Sequence, residues 1–245
     1  MKQILLILIL IAGIEIAYGE NQLMELFQQA NQHYKDENYA KAISSYQRIV
    51  DSGVKNGVVF YNLGNAFLKD GNLGKTILSY ERAKRLLPRD EDIKANLEYA
   101  NLLTIDKLSE KKGWLTLWIS KTHQILNINE QCFGLFIIYL LITILIILYI
   151  FIGRRKLFLT LVIILAIFFL ILLISLSISV TQNNEAIIVV SKVEVKSGPG
   201  NELETIFFIH EGTKVRIEEV RENWYQIELL DGKMGWINAK SIERI

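Results

Sequence analysis

The 245-residue chain is 51% hydrophobic and carries a formal net charge of +1. That balance, which also holds within each polar segment, excludes the basic excess of a nucleic-acid-binding protein. One cysteine, Cys132, excludes an intrachain disulfide, and His33, His123 and His210 are too scattered to suggest a metal site.

The chain opens with Met1-Lys2, an apolar stretch Ile4–Ile14 and a small-x-small site at Ala17-Tyr18-Gly19. This pattern predicts a secretory signal peptide over residues 1–19, too short to span a membrane. Glu15, late in the apolar stretch, is unusual for such a segment, and an uncleaved anchor is the alternative.

An internal repeat follows. Ala30, Tyr39, Ala42, Tyr46 and Ile49 align with Gly64, Leu73, Thr76, Tyr80 and Ala83 at a constant spacing of 34 residues, the period of a tetratricopeptide repeat. The second copy carries Leu63-Gly64, Phe67, Gly71, Tyr80, Ala83 and Pro88 where that family places its packing residues. The first copy departs from the pattern, with His33 at the usual tyrosine and Glu37 at the turn glycine. Small residues at 30, 64 and 42 predict close helix contact, and Pro88 ends the last helix because it cannot continue the hydrogen-bond ladder. Two repeats rarely bury a continuous core alone. Residues 90–108 supply a further helix, with Ile93, Leu97 and Ala100 at helical spacing and Asp90, Glu91 and Asp92 at its positive end. Residues 21–110 therefore resemble an α-helical tetratricopeptide stack, with repeats at about 23–56 and 57–90 plus a capping helix.

That resemblance places Phe27, Asn31 and Tyr34 from the first copy, and Tyr61, Asn65 and Lys69 from the second, on one peptide-binding groove. It implies that the asparagines hydrogen-bond a peptide backbone while the rings take apolar side chains. Phe27 and Tyr61 stand where a chaperone-type carboxylate clamp would need lysine, so that specialised reading fails. Gly71-Asn72-Leu73-Gly74-Lys75-Thr76 ends like a phosphate-binding loop. The required glycine at position 69 is lysine, however, and a helix rather than a strand precedes the segment.

Trp114 and Trp118 lie one helical turn apart within 113–128 and predict an interfacial helix along the membrane surface. Two apolar stretches, 132–153 and 157–180, each meet the roughly 20 residues needed to cross a bilayer. Arg154, Arg155 and Lys156 form the connection. Three cations in a short loop mark it as cytoplasmic, which puts both flanking segments on the other side. Lys111, Lys112 and Lys121 dissent, from further along the chain.

From residue 186 to 245 the period becomes alternating. Ala186–Val190, 191–196, Phe207-Phe208-Ile209, Val215-Arg216-Ile217, Trp224–Ile227 and Gly235-Trp236-Ile237 read as five or six strands, with turns at Glu211-Gly212 and Asp231-Gly232. The Ser-Gly-Pro turn, His-Glu-Gly-Thr, the Trp-Tyr pair and the Asp-Gly-Lys-x-Gly-Trp-Ile ending resemble the bacterial SH3-like family, an all-β barrel. Trp224, Tyr225 and Trp236 are its aromatic positions, as core or groove walls, and a peptide or peptidoglycan fragment is the ligand such a domain implies.

No catalytic set and no cofactor motif stands out, and the reading is non-enzymatic. The order of modules resembles the E component of the bacterial aerotolerance (Bat) operon proteins. It implies a multidomain inner-membrane protein with both terminal domains periplasmic, partnered with other Bat-type proteins that include von Willebrand A-domain membrane proteins, and linked to stress tolerance. The expected function is a membrane scaffold. The alternative is a cell-wall tether whose SH3-like domain binds peptidoglycan while the repeats recruit a wall enzyme.

Overall fold

The computed structural model describes residues 21–107, 126–152, 155–181 and 184–245. The signal peptide expected at 1–19 and most of the interfacial helix expected at 113–128, with Trp114 and Trp118, lie outside the described residues, as does Arg154.

Five helices form the N-terminal part: α1 (21–35), α2 (Tyr39–Asp51), α3 (Gly57–Asp70), α4 (Leu73–Leu86) and α5 (Glu91–Leu103). Their boundaries follow from side chains that satisfy orphan amides. Asn56 accepts from the Val58 and Val59 N–H groups, Asn72 from Lys75, and Asp90 from Asp92 and Ile93. Gly71 closes α3 with φ 82°, a left-handed conformation that glycine adopts without steric penalty. Glu37 holds the same kind of conformation one repeat earlier, with φ 59°. Gly64 allows α3 to meet α4, since a Cβ there would lie 2.6 Å from two carbons of the Tyr80 ring. The aligned positions Ala30, Ala42, Tyr46 and Ile49, and Gly64, Thr76, Tyr80 and Ala83, are all buried.

Two long helices come next, α6 (Ile128–Ile152) and α7 (Arg155–Thr181). Both are long and apolar enough to cross a membrane, with mean hydropathies of 2.9 and 3.5 over their candidate spans. The cationic loop expected at 154–156 is shorter than that. Arg155 and Lys156 already form the first turn of α7, because nothing after Arg155 interrupts the helical run. The start of α6 is set by a reciprocal cap: Glu130 N–H donates to Asn127 Oδ1, and Asn127 N–H donates to Glu130 Oε2. Arg89, in the α4–α5 turn, donates to the same Glu130 carboxylate and ties the helical stack to the mouth of α6.

The C-terminal part is a seven-stranded antiparallel sheet of β1 (Glu185–Ile188), β2 (Lys192–Lys196), β3 (Thr205–His210), β4 (Lys214–Arg221), β5 (Trp224–Leu229), β6 (Met234–Asn238) and β7 (Ile242–Arg244), in the order β3-β2-β6-β5-β4-β1-β7. Strand β7 exceeds the expected five or six. Three residues behind a short 3₁₀ turn are too few to show an alternation. All seven strands send side chains into one core that includes Ala186, Val195, Ile209, Val215, Ile227, Ile237 and Ile242, so the sheet must curl around it. Gly212 (φ 83°) and Gly232 (φ 90°) occupy the two expected turns.

Strand β1 differs from the others in having Ala186, Ile187 and Ile188 all buried in succession. Ala186 and Ile188 face the barrel core, while Ile187 points the other way and joins Ile77, Leu78, Tyr80, Leu97 and Ala100 of the helical stack. A strand reads as continuously apolar when both of its faces are covered. Helix α4 is the second cover.

Candidate functional site

The groove residues lie on α1 and α3, and a hydrogen-bond set that draws in α2, α4 and α5 recurs at both asparagines. Tyr46 Oη donates to Asn31 Oδ1 at 2.6 Å, and Asn62 Nδ2 donates to the same oxygen at 3.2 Å. One repeat later Tyr80 Oη donates to Asn65 Oδ1 at 2.6 Å, and Asn96 Nδ2 donates to it at 3.2 Å. Asn96 Nδ2 also reaches Tyr61 Oη at 2.9 Å. Burial pushes the Tyr46 hydroxyl up to about 12 and Tyr80 higher still, so both remain protonated donors near neutral pH. Each asparagine oxygen therefore serves the fold, and the Nδ2 donors of Asn31 and Asn65 are what remain for a ligand. The alignment placed Asn31 and Asn65 but overlooked Asn62 and Asn96, which share their period and are donors to them.

Rings surround these amides. Phe27 packs on Tyr46 edge to face with centroids 6.0 Å apart, Tyr34 meets Tyr39 at 5.5 Å, and Tyr61 meets Tyr80 at 5.8 Å. Burial, with the neighbouring Tyr39 and Tyr61, raises the Tyr34 hydroxyl above the usual phenol range. Phe27, Tyr34 and Tyr61 are half-buried, and Lys69 is exposed in the last turn of α3. The face combines apolar ring surface with regularly spaced amides, which suits an extended chain more than a compact small molecule.

The three barrel aromatics do not form one site. Tyr225 packs against the barrel core, and the Arg244 guanidinium lies 5.8 Å from its ring centre. Strand alternation turns Trp224 and Trp236 to the opposite face. Trp236 is buried there with the Arg221 guanidinium 5.2 Å from its ring, and Trp224 is half-buried opposite Asn238.

The barrel docks on α4, a relationship the separate sequence segments did not announce. Ile187 pairs with Lys214 on one side and Glu243 on the other, so these three side chains form a row across β4, β1 and β7. Opposite them α4 presents Glu81, Arg82 and Arg85. Lys214 Nζ lies 2.9 Å from Glu185 and 3.5 Å from Glu81; Arg85 reaches Glu185 at 3.2 Å, and Arg82 reaches Glu243 at 3.8 Å. Burial would raise the Glu81 carboxyl, but the cations of Lys214, Lys84 and Arg85 outweigh it and hold the group below its ordinary range.

The His-Glu-Gly-Thr signature forms the rest of this contact. Glu211 Oε2 accepts from the Gly74 N–H at 3.1 Å, placing a carboxylate on the positive N-terminus of α4. The phosphate-loop look-alike therefore faces an anion, and that anion is part of the barrel. A Cβ on Gly74 would lie 2.7 Å from the Ile188 carbonyl oxygen, and one on Gly212 would lie 2.7 Å from Ile77 and 2.8 Å from Thr104. Asp106 accepts from the His210 N–H (2.7 Å) and the Thr213 hydroxyl (2.6 Å), with His210 Nδ1 at 3.1 Å. Burial alone would raise Asp106, but these hydrogen bonds lower it overall.

The docked residues come from α4, α5 and the segment after it, so among the described residues the barrel leaves the amide and ring face on α1 and α3 uncovered. Among the described residues no three His, Cys, Asp or Glu side chains converge where a metal ion could sit. No curated protein matches the chain. Residues 189–243 match the family model of the bacterial SH3 domain, so the C-terminal unit, whose β1 precedes the matched segment, is a bacterial SH3 domain docked on a helical one.

Proposed function

We propose that this chain is a non-enzymatic scaffold of the bacterial inner membrane that carries two interaction modules, held as one body, on the periplasmic side. The observation that carries this reading is the charged and apolar seam between α4 and the SH3 domain, next to the start of an apolar helical hairpin. A flexibly tethered module would not need a half-buried row of alternating charges. The repeated Asn–Tyr–Asn hydrogen-bond set supports reading residues 21–110 as tetratricopeptide repeats with a capping helix. The face of Phe27, Asn31, Tyr34, Tyr61, Asn65 and Lys69 then takes an extended peptide of a partner protein. Cations at Arg154, Arg155 and Lys156 favour a cytoplasmic tip for the hairpin. Other Bat-type proteins, von Willebrand A-domain membrane proteins among them, are the partners proposed.

The test is affinity purification of the full chain from membranes in mild detergent, followed by mass spectrometry. Asn31→Asp with Asn65→Asp keeps both acceptor oxygens for Tyr46 and Tyr80, while it replaces each free amide donor with a second acceptor oxygen and a negative charge. Partners should be lost while the melting curve of the protein is kept. A folded double variant that retains every partner excludes this face as the binding site.

The SH3 match favours one second reading, wall tethering through Trp224 and its neighbours. Sedimentation of the full chain with purified sacculi, abolished by Trp224→Ala, would support that reading over the scaffold.

A further inference from the structure

Among the described residues, helix α5 carries an open groove on the side where a sixth helix would lie. Helix α3 receives α4 through Phe60, Gly64 and Phe67: Phe60 clusters with Ala83, Gly64 touches Tyr80, and Phe67 lies under Lys75. One period later those positions are Lys94, Glu98 and Asn101, and all three line a groove of about 440 Å³. Its apolar part is Leu102, 70% exposed, over a floor formed by the buried Leu97, and Lys84 and Lys107 complete the wall. The seam that is buried and apolar on α3 is therefore polar at its edges on α5. Such a seam is poorly suited to a permanent core contact, but it fits a helix that brings its own charges.

The charge of the groove selects that helix. Three lysines face one glutamate. Lys94 is paired with Glu91 on the helix surface at 2.8 Å, and Lys107 donates to the carbonyls of Asn101 and Leu102 at the end of α5. Lys84 makes no ion pair within 4.0 Å among the described residues. We propose that this groove docks an amphipathic helix of a partner protein, with an apolar stripe on Leu102 and the lysine stems around it and acidic residues beside the Lys84, Lys94 and Lys107 ammonium groups. The chain's own residues 108–125 are the nearest candidates in sequence, but they bring Lys111, Lys112 and Lys121 against Glu110 alone. Charge complementarity disfavours them and favours an acidic partner. The site is separate from the aromatic face and does not depend on what that face binds.

The probe is a labelled synthetic helix about 18 residues long, enough to hold helical structure. It has leucines at helical spacing and glutamates on both flanks, and a twin carries lysines in place of the glutamates. Fluorescence anisotropy is measured with the full chain in neutral-lipid nanodiscs, with empty discs as the blank. The acidic peptide should bind, more weakly as salt rises, and Lys84→Glu with Lys94→Glu should raise its Kd about tenfold or more. Lys84→Gln with Lys94→Gln should raise it less; because the Lys84 charge also acts on Glu81 of the seam, unchanged melting curves and unchanged exchange protection of α4 and β1 show that both variants fold and stay docked. The lysine twin should not bind. Equal binding of both peptides, no binding, or no effect of the charge changes overturns the proposal. So does a monomeric disulfide between Asn101→Cys and Leu117→Cys in a Cys132→Ser chain, which seats the chain's own segment in the groove. Self-association of the discs that is lost in Lys84→Glu with Lys94→Glu would seat a second copy there and overturn it equally.

Discussion

Lys214 Nζ lies between Glu185 Oε2 at 2.9 Å and Glu81 Oε1 at 3.5 Å, so one ammonium joins a strand of the barrel to a helix of the stack. Glu81 keeps 13% of its side-chain surface exposed and Glu185 20%, so removing the cation leaves Glu185 to Arg85 alone and Glu81 with little water and no ion pair within 4.0 Å among the described residues. Lys214→Ala should destabilise the docked state by about 3 kcal/mol. Hydrogen exchange should then rise along α4 and β1 together. Unchanged protection in both would mean that the seam does not couple the two units.

Acid should open the same seam. Glu81 and Asp106 both titrate below their ordinary ranges in the folded chain. A carboxyl depressed by folding contributes stability that is present above its unfolded pKa and lost as pH falls through its folded one. The contact should hold at neutral pH and loosen below about pH 4. Lys214 is shifted up, since its two glutamates outweigh burial, so its contribution persists below the ordinary lysine pKa and is lost only as pH rises through the raised value. Exchange protection of α4 followed against pH checks both signs. Asp106→Asn should flatten the acid limb.

The turn after α1 offers a stabilising change. Glu37 has φ 59°, where a side chain costs about 1–2 kcal/mol relative to the right-handed region. Glycine relieves that strain at some cost in chain entropy, so Glu37→Gly should gain about 0.5–1 kcal/mol. The reverse experiment is Gly71→Val. An added Cβ would meet no atom within 4 Å beyond its own turn, so the expected loss of about 1–2 kcal/mol would come from the backbone alone. Thermal melts of the two variants should move in opposite directions.

Gly64 and Asn65 test the α3–α4 contact by different physics. Gly64→Ala places a carbon 2.6 Å from the Tyr80 ring and should lower stability by about 1–3 kcal/mol through overpacking. Asn65→Ala leaves the Tyr80 hydroxyl without its acceptor inside a buried contact, a loss of about 1–3 kcal/mol. Asn65→Asp should melt near the wild type. For that reason alanine at Asn31 and Asn65, whose side chains the groove reading alone treats as solvent-facing, is a poor probe of binding.

Topology has its own check. A reporter enzyme active only outside the cytoplasm should work when fused after residue 110 or 245 and stay silent at Arg155. Activity at Arg155 with silence at both ends would overturn the proposed arrangement.

Local pattern was enough to read much of this chain. The constant spacing of small and aromatic residues marked the paired helices, the long apolar runs marked α6 and α7, and alternation with Asp-Gly and Glu-Gly turns marked the barrel. These signals are legible because helix and strand periods, and the special conformations of glycine and proline, act over a few residues. The capping residues Asn56, Asn72 and Asp90 act over the same range. Tertiary structure alone decided that Glu81 meets Lys214, that Gly74 meets Glu211, and that Asp106 meets His210 and Thr213. Each of these pairs joins residues more than a hundred positions apart, on either side of the apolar hairpin. A charge in a sequence carries no mark of its partner, because an ion pair depends on distance in space and on the water removed around it. One trace of the contact was nevertheless present. Ala186-Ile187-Ile188 breaks the alternation of the barrel strands, as a strand must when it is covered on both faces, but the sequence does not name the helix that covers the second one.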